Sequence, residues 1–236
     1  MAAARYLIVN ADDFGRSPGV NRGTVETFER GIVTSASLMV RWPAAVAAAD
    51  YGRGHPDLSV GLHVDLGEWA YRDGTWAAMY EVAPLSDSRA VAEEVARQLA
   101  VFRQLLGRDP THLDSHQHVH REEPVRSVLS ALACQLKVPL RDCHPAVRYC
   151  GSFYGQTGQG LAFPEAISVE GLLRIISALR SGVTELGCHP GEGNDMDSMY
   201  RSERAEEVKT LCHPQIRVAL VAERIELRSF RDLQVA

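Results

Sequence analysis

The sequence predicts an α/β fold, a parallel sheet with helices outside it, built either as an open sheet or as a barrel. Three observations carry that expectation. Apolar, β-rich runs alternate with segments of helical period along the whole chain. The 236 residues suffice for one large domain, and a single α/β barrel is commonly about this size. The ionisable residues gather where strands end, and parallel α/β folds build their sites outside the carboxyl ends of their strands.

The elements follow in order. "RYLIVNAD" is apolar and β-rich, the pattern of a buried strand. In "RSPGVNRGTVETFERG", Ser17 can N-cap a helix, Pro18 fits its first turn and Gly31 can end it. "TSASLMV" is a second strand, "PAAVAAADYG" a short helix and "LSVGLHVDLG" a third strand with Gly67 as its stop. Residues 68–87 show no period, hold Trp69, Tyr71, Trp76 and Tyr80, and read as a long loop of the kind that is often functional. "SRAVAEEVARQLAVFRQLLG" is a strongly amphipathic helix, and "RDPTHLDSHQ" turns into a fourth strand. A helix over "PVRSVLSALACQLKV" leads to a short strand, "PLRDC". Residues 144–166, rich in Gly, Pro and aromatics, read as a second long loop. "SVEGLLRIISALRSG" is a helix capped near Ser168, "VTELGCHPG" another strand and "NDMDSMYRS" a loop. The segment "SERAEEVKTLCHPQIRVALVAERI" is helical with a break near Pro214, and "IELRSF" is a last strand. No internal repeat, low-complexity tract or linker interrupts the series, so one domain over 1–236 is expected.

Composition narrows the function. The chain is 45% hydrophobic and 23% charged, as in ordinary globular proteins. A net charge of -5 provides no basic footprint for nucleic acid. No apolar run reaches the roughly 18 residues that span a bilayer. The opening "MAAARYLIVNADD" is too short and too soon acidic for a signal peptide, and it reads as a first strand. Five cysteines without a CxxC pair argue against a disulfide framework, so free thiols in a reducing cytoplasm are expected. A homodimer is the default expectation from the frequency of twofold assemblies.

The chemistry sits at strand ends. The first strand closes on Asp12 and Asp13, the third carries His63, the fourth ends in "THLDSHQHVH", and a later one ends in His189. In an extended chain His112, Asp114, His116, His118 and His120 share one face. Each residue also has a bland reading. Paired aspartates after a strand are often turn residues. A lone His63 among apolar neighbours is more often a satisfied core histidine. The 112–120 run resists both alternatives, because burying several imidazoles is unfavourable unless each is paired. Cys-His-Pro occurs three times, at 143–145, 188–190 and 212–214, without structural zinc spacing, and reads as coincidence apart from His189. A carboxylate with two imidazoles is a common ligand set for a catalytic divalent metal, and an adjacent aspartate could act as general base. Metal-assisted hydrolysis is the chemistry this implies.

Taken in order, "LIVNADDFG", "GIVTSASLMV", "VGLHVDL", "GRDPTHLDSHQHVH" and "ELGCHPG" resemble the YdjC-like (ChbG/HpnK) carbohydrate deacetylases. The resemblance implies a distorted (β/α) TIM-like barrel and removal of an acetyl group from an N-acetylated sugar. It implies Asp13, His63 and His116 as metal ligands and Asp12 as general base. His189 would serve as general acid or oxyanion partner. It implies zinc or magnesium, and nitrogen ligands lean towards zinc. His118 would line the pocket, and Asp114 and His112 would orient ligands. His120 has no assigned role and is expected to be exposed. Arg141 is placed either near the acid-base pair or in a surface ion pair. The 68–87 and 144–166 loops match no family motif and are expected to set the substrate. Trp69, Trp76 and Tyr154 are candidates for stacking on sugar faces, against an ordinary packing role. A metal-dependent hydrolase of another amide or an ester is the alternative enzyme. A non-catalytic sugar-binding protein is disfavoured by the presence of Asp12, Asp13, His63 and His116.

Overall fold

β1 (Arg5–Phe14) is the spine of the molecule. The structure, a computed structural model, describes residues 4–193 and 195–233. Asn194, in the loop expected over 194–202, and both ends of the expected 1–236 domain lie outside the described residues. Leu7, Ile8 and Val9 of β1 are fully buried, because neighbours cover both faces of the strand. Ten residues of this length reach from one rim of the sheet to the other.

With β1 in the sheet are β2 (Ser35–Leu38), β3 (Ser59–Val64), β6 (Leu113–Ser115), β7 (Val147–Cys150) and β8 (Gly182–Cys188). Among the described residues, the sheet runs β6-β3-β2-β1-β8-β7, with every pair parallel. β9 (Ile225–Leu227) joins the first residues of β1, from Arg5 to Leu7, and β2 takes over from Asn10. The sheet curls into a half-barrel surrounded by helices, a distorted α/β barrel. Register settles where the chemistry falls. Phe14 pairs with Leu38, Leu38 with Leu62, and His63 with Asp114, so the strand ends converge on one mouth.

The helices begin and end where local chemistry directs. Ser17 accepts the Val20 amide to start α1 (Pro18–Glu29), and Pro18 occupies its first turn. α2 (Ala45–Gly54) follows β2. Asp87 accepts from Arg89 and Ala90 at the start of α3 (Ser88–Leu106), and left-handed Gly107 ends it. Next comes α4 (Val125–Leu136). Ser168 accepts the Gly171 amide before α5 (Val169–Ala178). α6 (Ser202–Leu211) and α7 (Pro214–Ala222) meet at the break expected near Pro214. No helix of the described residues is long and apolar enough to cross a membrane. The five cysteines are free.

Three expectations are corrected. Residues 68–87 are not a structureless loop: β4 (Gly67–Arg72) and β5 (Thr75–Glu81) form an antiparallel hairpin. Its aromatic and small residues lack clear alternation because much of β5 is exposed. "PLRDC" contributes only a single bridge, Leu140 to Leu113, and the next strand, β7, lies inside the segment expected as the second loop. The 112–120 run is not one extended face. β6 ends at Ser115, and a 3-10 turn follows over His116–Arg121, with Gln117 and His118 in left-handed conformations.

Candidate active site

The floor of the site comes from strand ends. β1 delivers Asp12 and Asp13, both buried, and left-handed backbone at Asp13 (φ 65°) turns the second carboxylate away from the first. Aspartate tolerates that conformation better than most residues. β3 delivers His63 and β6 delivers Asp114. His116 opens the turn that follows. Ligating atoms of Asp13, His63 and His116 lie within 4.8 Å of one another, and all three residues are buried.

Hydrogen bonds orient this trio. His63 Nδ1 donates to Asp114 Oδ1 at 2.8 Å, which leaves Nε2 facing Asp13 Oδ1 at 3.5 Å. His116 Nδ1 stands 3.0 Å from the same oxygen. Asp13 Oδ1 is buried and makes no well-aligned hydrogen bond among the described residues, so two imidazoles and a carboxylate oxygen face one point. That donor set, with a carboxylate behind one imidazole, fits a divalent cation.

Behind it, one guanidinium holds three carboxylates. Arg141, 2% exposed, donates to both oxygens of Asp12 at 2.6 Å each, to Glu185 Oε1 at 2.6 Å, and lies 2.8 Å from Asp114 Oδ2. Arg141 is therefore not part of a surface ion pair. Ser37 donates to Asp114 at 2.6 Å, and Asn10 donates to Asp12 at 2.8 Å and to Ser37 at 2.7 Å. His112 stacks on Phe230 with ring centres 3.8 Å apart, and its Nε2 lies 3.0 Å from Ser37 Oγ, so among the described residues it reaches His63 through Ser37 and Asp114.

The charges follow from this arrangement. Burial pushes Asp12 and Asp114 up, but Arg141 outweighs it and holds both carboxyls below their usual range. Burial likewise opposes ionisation of Asp13, and Arg204 with His116 overcomes it. Burial disfavours charge on His63, yet Asp114 raises it to about 10. Burial pushes Glu185 up to about 7 despite Arg141. It pushes His189 down to about 4 against the pull of Asp12.

His189, just past β8, stands with Nε2 3.7 Å from Asp12 Oδ2. Burial lowers His118 to about 2, and its Nε2 lies 3.2 Å from the Tyr149 hydroxyl on β7. That phenol sits where Gly187 has no side chain, because a Cβ there would come within 2.7 Å of the hydroxyl oxygen. His120 is fully buried rather than exposed. Its Nδ1 lies 2.7 Å from Ser115 Oγ, which also accepts its backbone amide, so it locks the turn.

A cavity of about 760 Å³ opens over this floor. Asp12, Asp13, His63, His116, His118 and His189 line it, with Trp69, Trp76 and Tyr154 at its walls. Tyr154 stacks on Tyr200 at 4.4 Å and meets His189 edge-on at 5.2 Å, so it packs as well as lines. Trp76 is 50% exposed. Sequence reasoning missed Arg204, which binds Asp13, Arg16, 3.3 Å from His116 Nε2, and Glu185. Glu185 had a signal, a charged residue inside the buried strand "VTELG". The two arginines had none: Arg204 sits on α6 and Arg16 in the turn between β1 and α1, and nothing local marks either as inward-facing.

The family model described as "YdjC-like protein" matches residues 6–222. The chain belongs to the YdjC-like family. A carbohydrate deacetylase from Geobacillus stearothermophilus is 34% identical, over 97% of this chain and 98% of that protein. A chitooligosaccharide deacetylase from Serratia marcescens is 32% identical, over 97% and 99%. Two solved structures share the fold. One is a protein from Enterococcus faecalis V583 named for cellobiose-phosphate cleavage, with a TM-score of 0.77 and 24% identity over 97% of this chain and 98% of that one. The other is a family 4 carbohydrate esterase from Streptomyces lividans in complex with acetate, with a TM-score of 0.58 and 11% identity over 100% and 98%. The YdjC-like match thus spans every strand that feeds the mouth.

Proposed function

We propose that this YdjC-like chain is a metal-dependent hydrolase that removes the acetyl group from an N-acetylated amino sugar or short oligosaccharide. The observation that carries the reading is the buried cluster of Asp13 Oδ1, His63 and His116, a step away from the Asp12–Arg141 pair. Relatives named as carbohydrate and chitooligosaccharide deacetylases over nearly the full chain support the substrate class.

Asp13, His63 and His116 would hold the metal, and Asp114 would fix His63 in the tautomer that presents Nε2. When bound, the ion supplies positive charge that polarises the amide carbonyl and acidifies water. Asp12 is the general base, because Arg141 keeps it ionised at neutral pH and it lines the cavity beside Asp13. The proton it takes from water is the proton the leaving amine needs. His189, neutral at rest, stands beside Asp12 and is the group across which that proton passes. A standing imidazolium is disfavoured by its burial, so His189 acts by relay and hydrogen bonding rather than as a stored acid. The nitrogen ligands favour zinc or another transition metal over magnesium.

The test is acetate release from a panel of N-acetylated glucosamine oligomers, with elemental analysis of bound metal, for wild type and Asp12→Asn. Metal-dependent release by the wild type is expected, and the variant should keep its metal while losing turnover by about 10²–10⁴-fold. Bound metal without release from any N-acetylated sugar would reject the deacetylase reading in favour of another amide or an ester. Full activity in Asp12→Asn would reject the base.

A further inference from the structure

The hairpin β4–β5 is tied to the body at a few points, among them the Tyr80 hydroxyl on Asp65 and the Tyr71 N–H on Met199 Sδ. Residues 75–78 of β5 are exposed, and an isolated two-stranded hairpin is marginal in water. Yet it carries Trp69 and Trp76 to the cavity wall. Two adjacent residues of β4 are tied to two adjacent residues of the histidine turn. Glu68 pairs with Arg16, whose guanidinium lies 3.3 Å from His116 Nε2. Trp69 is bonded directly to the next residue, Gln117, twice. Its backbone N–H donates to Gln117 Oε1 at 2.9 Å, and Gln117 Nε2 donates to its carbonyl at 2.8 Å.

The side-chain amide of Gln117 thus satisfies Trp69 as the peptide of a third strand would. The clasp falls at an irregularity of the hairpin. Glu68 pairs with Tyr80 but Trp69 with Ala78, so Met79 bulges between them. The Trp69 ring folds back over Gly67, where a Cβ would stand 2.9 Å from the indole. Gln117 itself reaches Trp69 from left-handed backbone (φ 51°), a conformation unfavourable for a non-glycine residue and retained where surrounding contacts over-determine it.

We infer that Gln117 is a positioning residue, whose amide fastens the hairpin to the turn bearing His116 and so fixes the tryptophan wall of the saccharide cleft. It sets affinity for the sugar and leaves the chemical step alone. The affinity statement rests on the deacetylase reading; the fastening does not.

Hydrogen exchange over residues 67–81, metal content, and kcat and KM on N-acetylated glucosamine oligomers would be measured for wild type, Gln117→Ala and Gln117→Glu. In Gln117→Ala, exchange at the Trp69 amide should rise by about tenfold or more, the loss of two backbone-like bonds. KM should rise about five- to tenfold, with kcat within about twofold. Metal content should hold. Gln117→Glu should fall between, since a carboxylate accepts the Trp69 N–H but cannot donate to its carbonyl. Unchanged exchange in Gln117→Ala would overturn the fastening. Faster exchange with unchanged KM would overturn its role in affinity, and lost metal or a kcat collapse would place Gln117 in the ligand turn's own integrity instead. If the wild type releases no acetate from any sugar, the affinity statement falls with the deacetylase reading, while exchange still decides the fastening.

Discussion

The floor of the cavity and its tryptophan wall are built on opposite principles. In the floor, Asp12, Asp114, Arg141 and Glu185 are at most 2% exposed, and each is held by at least one charged partner. In the wall, Trp76 is 50% exposed and the hairpin leans on a few bonds at its base. A floor of interlocked charges keeps one geometry, which the proposed base and ligands would need. A wall anchored at a few points can change its residues without disturbing the floor. Substitutions in the two regions should therefore separate, the first striking stability and chemistry and the second affinity alone.

The largest effect is expected at Arg141. Arg141→Met leaves three buried carboxylates without their shared cation, and breaking buried charge pairs typically destabilises by about 3–5 kcal/mol. The denaturant midpoint should fall at unchanged slope. A loss below about 1 kcal/mol would show that the floor is not held by this network, and the contrast with the wall would collapse.

Metal binding is the next test. His116→Ala should abolish metal uptake. Wild type at a hundredfold excess of metal over Kd should gain about 2.7 kcal/mol of stability, and the variant none. Metal retained by the variant would remove His116 from the ligand set.

The floor was more legible than the wall. Strand ends announce themselves through apolar runs that stop at polar residues, so Asp12, Asp13, His63 and His189 were placed together by topology alone. The 112–120 run was legible as a polar site but not in shape. Alternation assumed an extended chain, whereas left-handed Gln117 and His118 turn it back after Ser115. His116 and His118 reach the cavity, while His112 and His120 are buried around it. Arg204 and Arg16 act across long sequence separations, which no local pattern encodes. The hairpin was missed because its exposure removes the period-2 signal that burial imposes.

Glu207, on α6 behind His189, offers a pH test of the floor. It accepts the His189 amide and the Tyr200 hydroxyl, and burial raises it to about 8 from an ordinary 4.5. A carboxyl raised on folding contributes stability below its unfolded value and loses it as pH rises through its folded value. Glu207→Gln carries no such proton. Between pH 5 and 8 the stability of wild type should fall relative to the variant by on the order of 3 kcal/mol. A difference that stays flat across that range would mean Glu207 is ionised throughout.

The smallest effect, and the sharpest on the contrast, is Trp76→Ala. Half-exposed and paired edge-on with Tyr71 at 5.7 Å, the indole contributes little burial. Stability should change by no more than about 0.5 kcal/mol, as for surface positions generally. Loss of a stacking face should nevertheless raise KM for longer oligosaccharides by about three- to tenfold, with kcat held. A fall in kcat with KM unchanged would mean that the wall reaches into the chemical step, and that floor and wall are one unit. An unchanged KM would leave Trp69 as the stacking surface, since its ring lies against Gly67 and nearer to the clasp at the base of the hairpin.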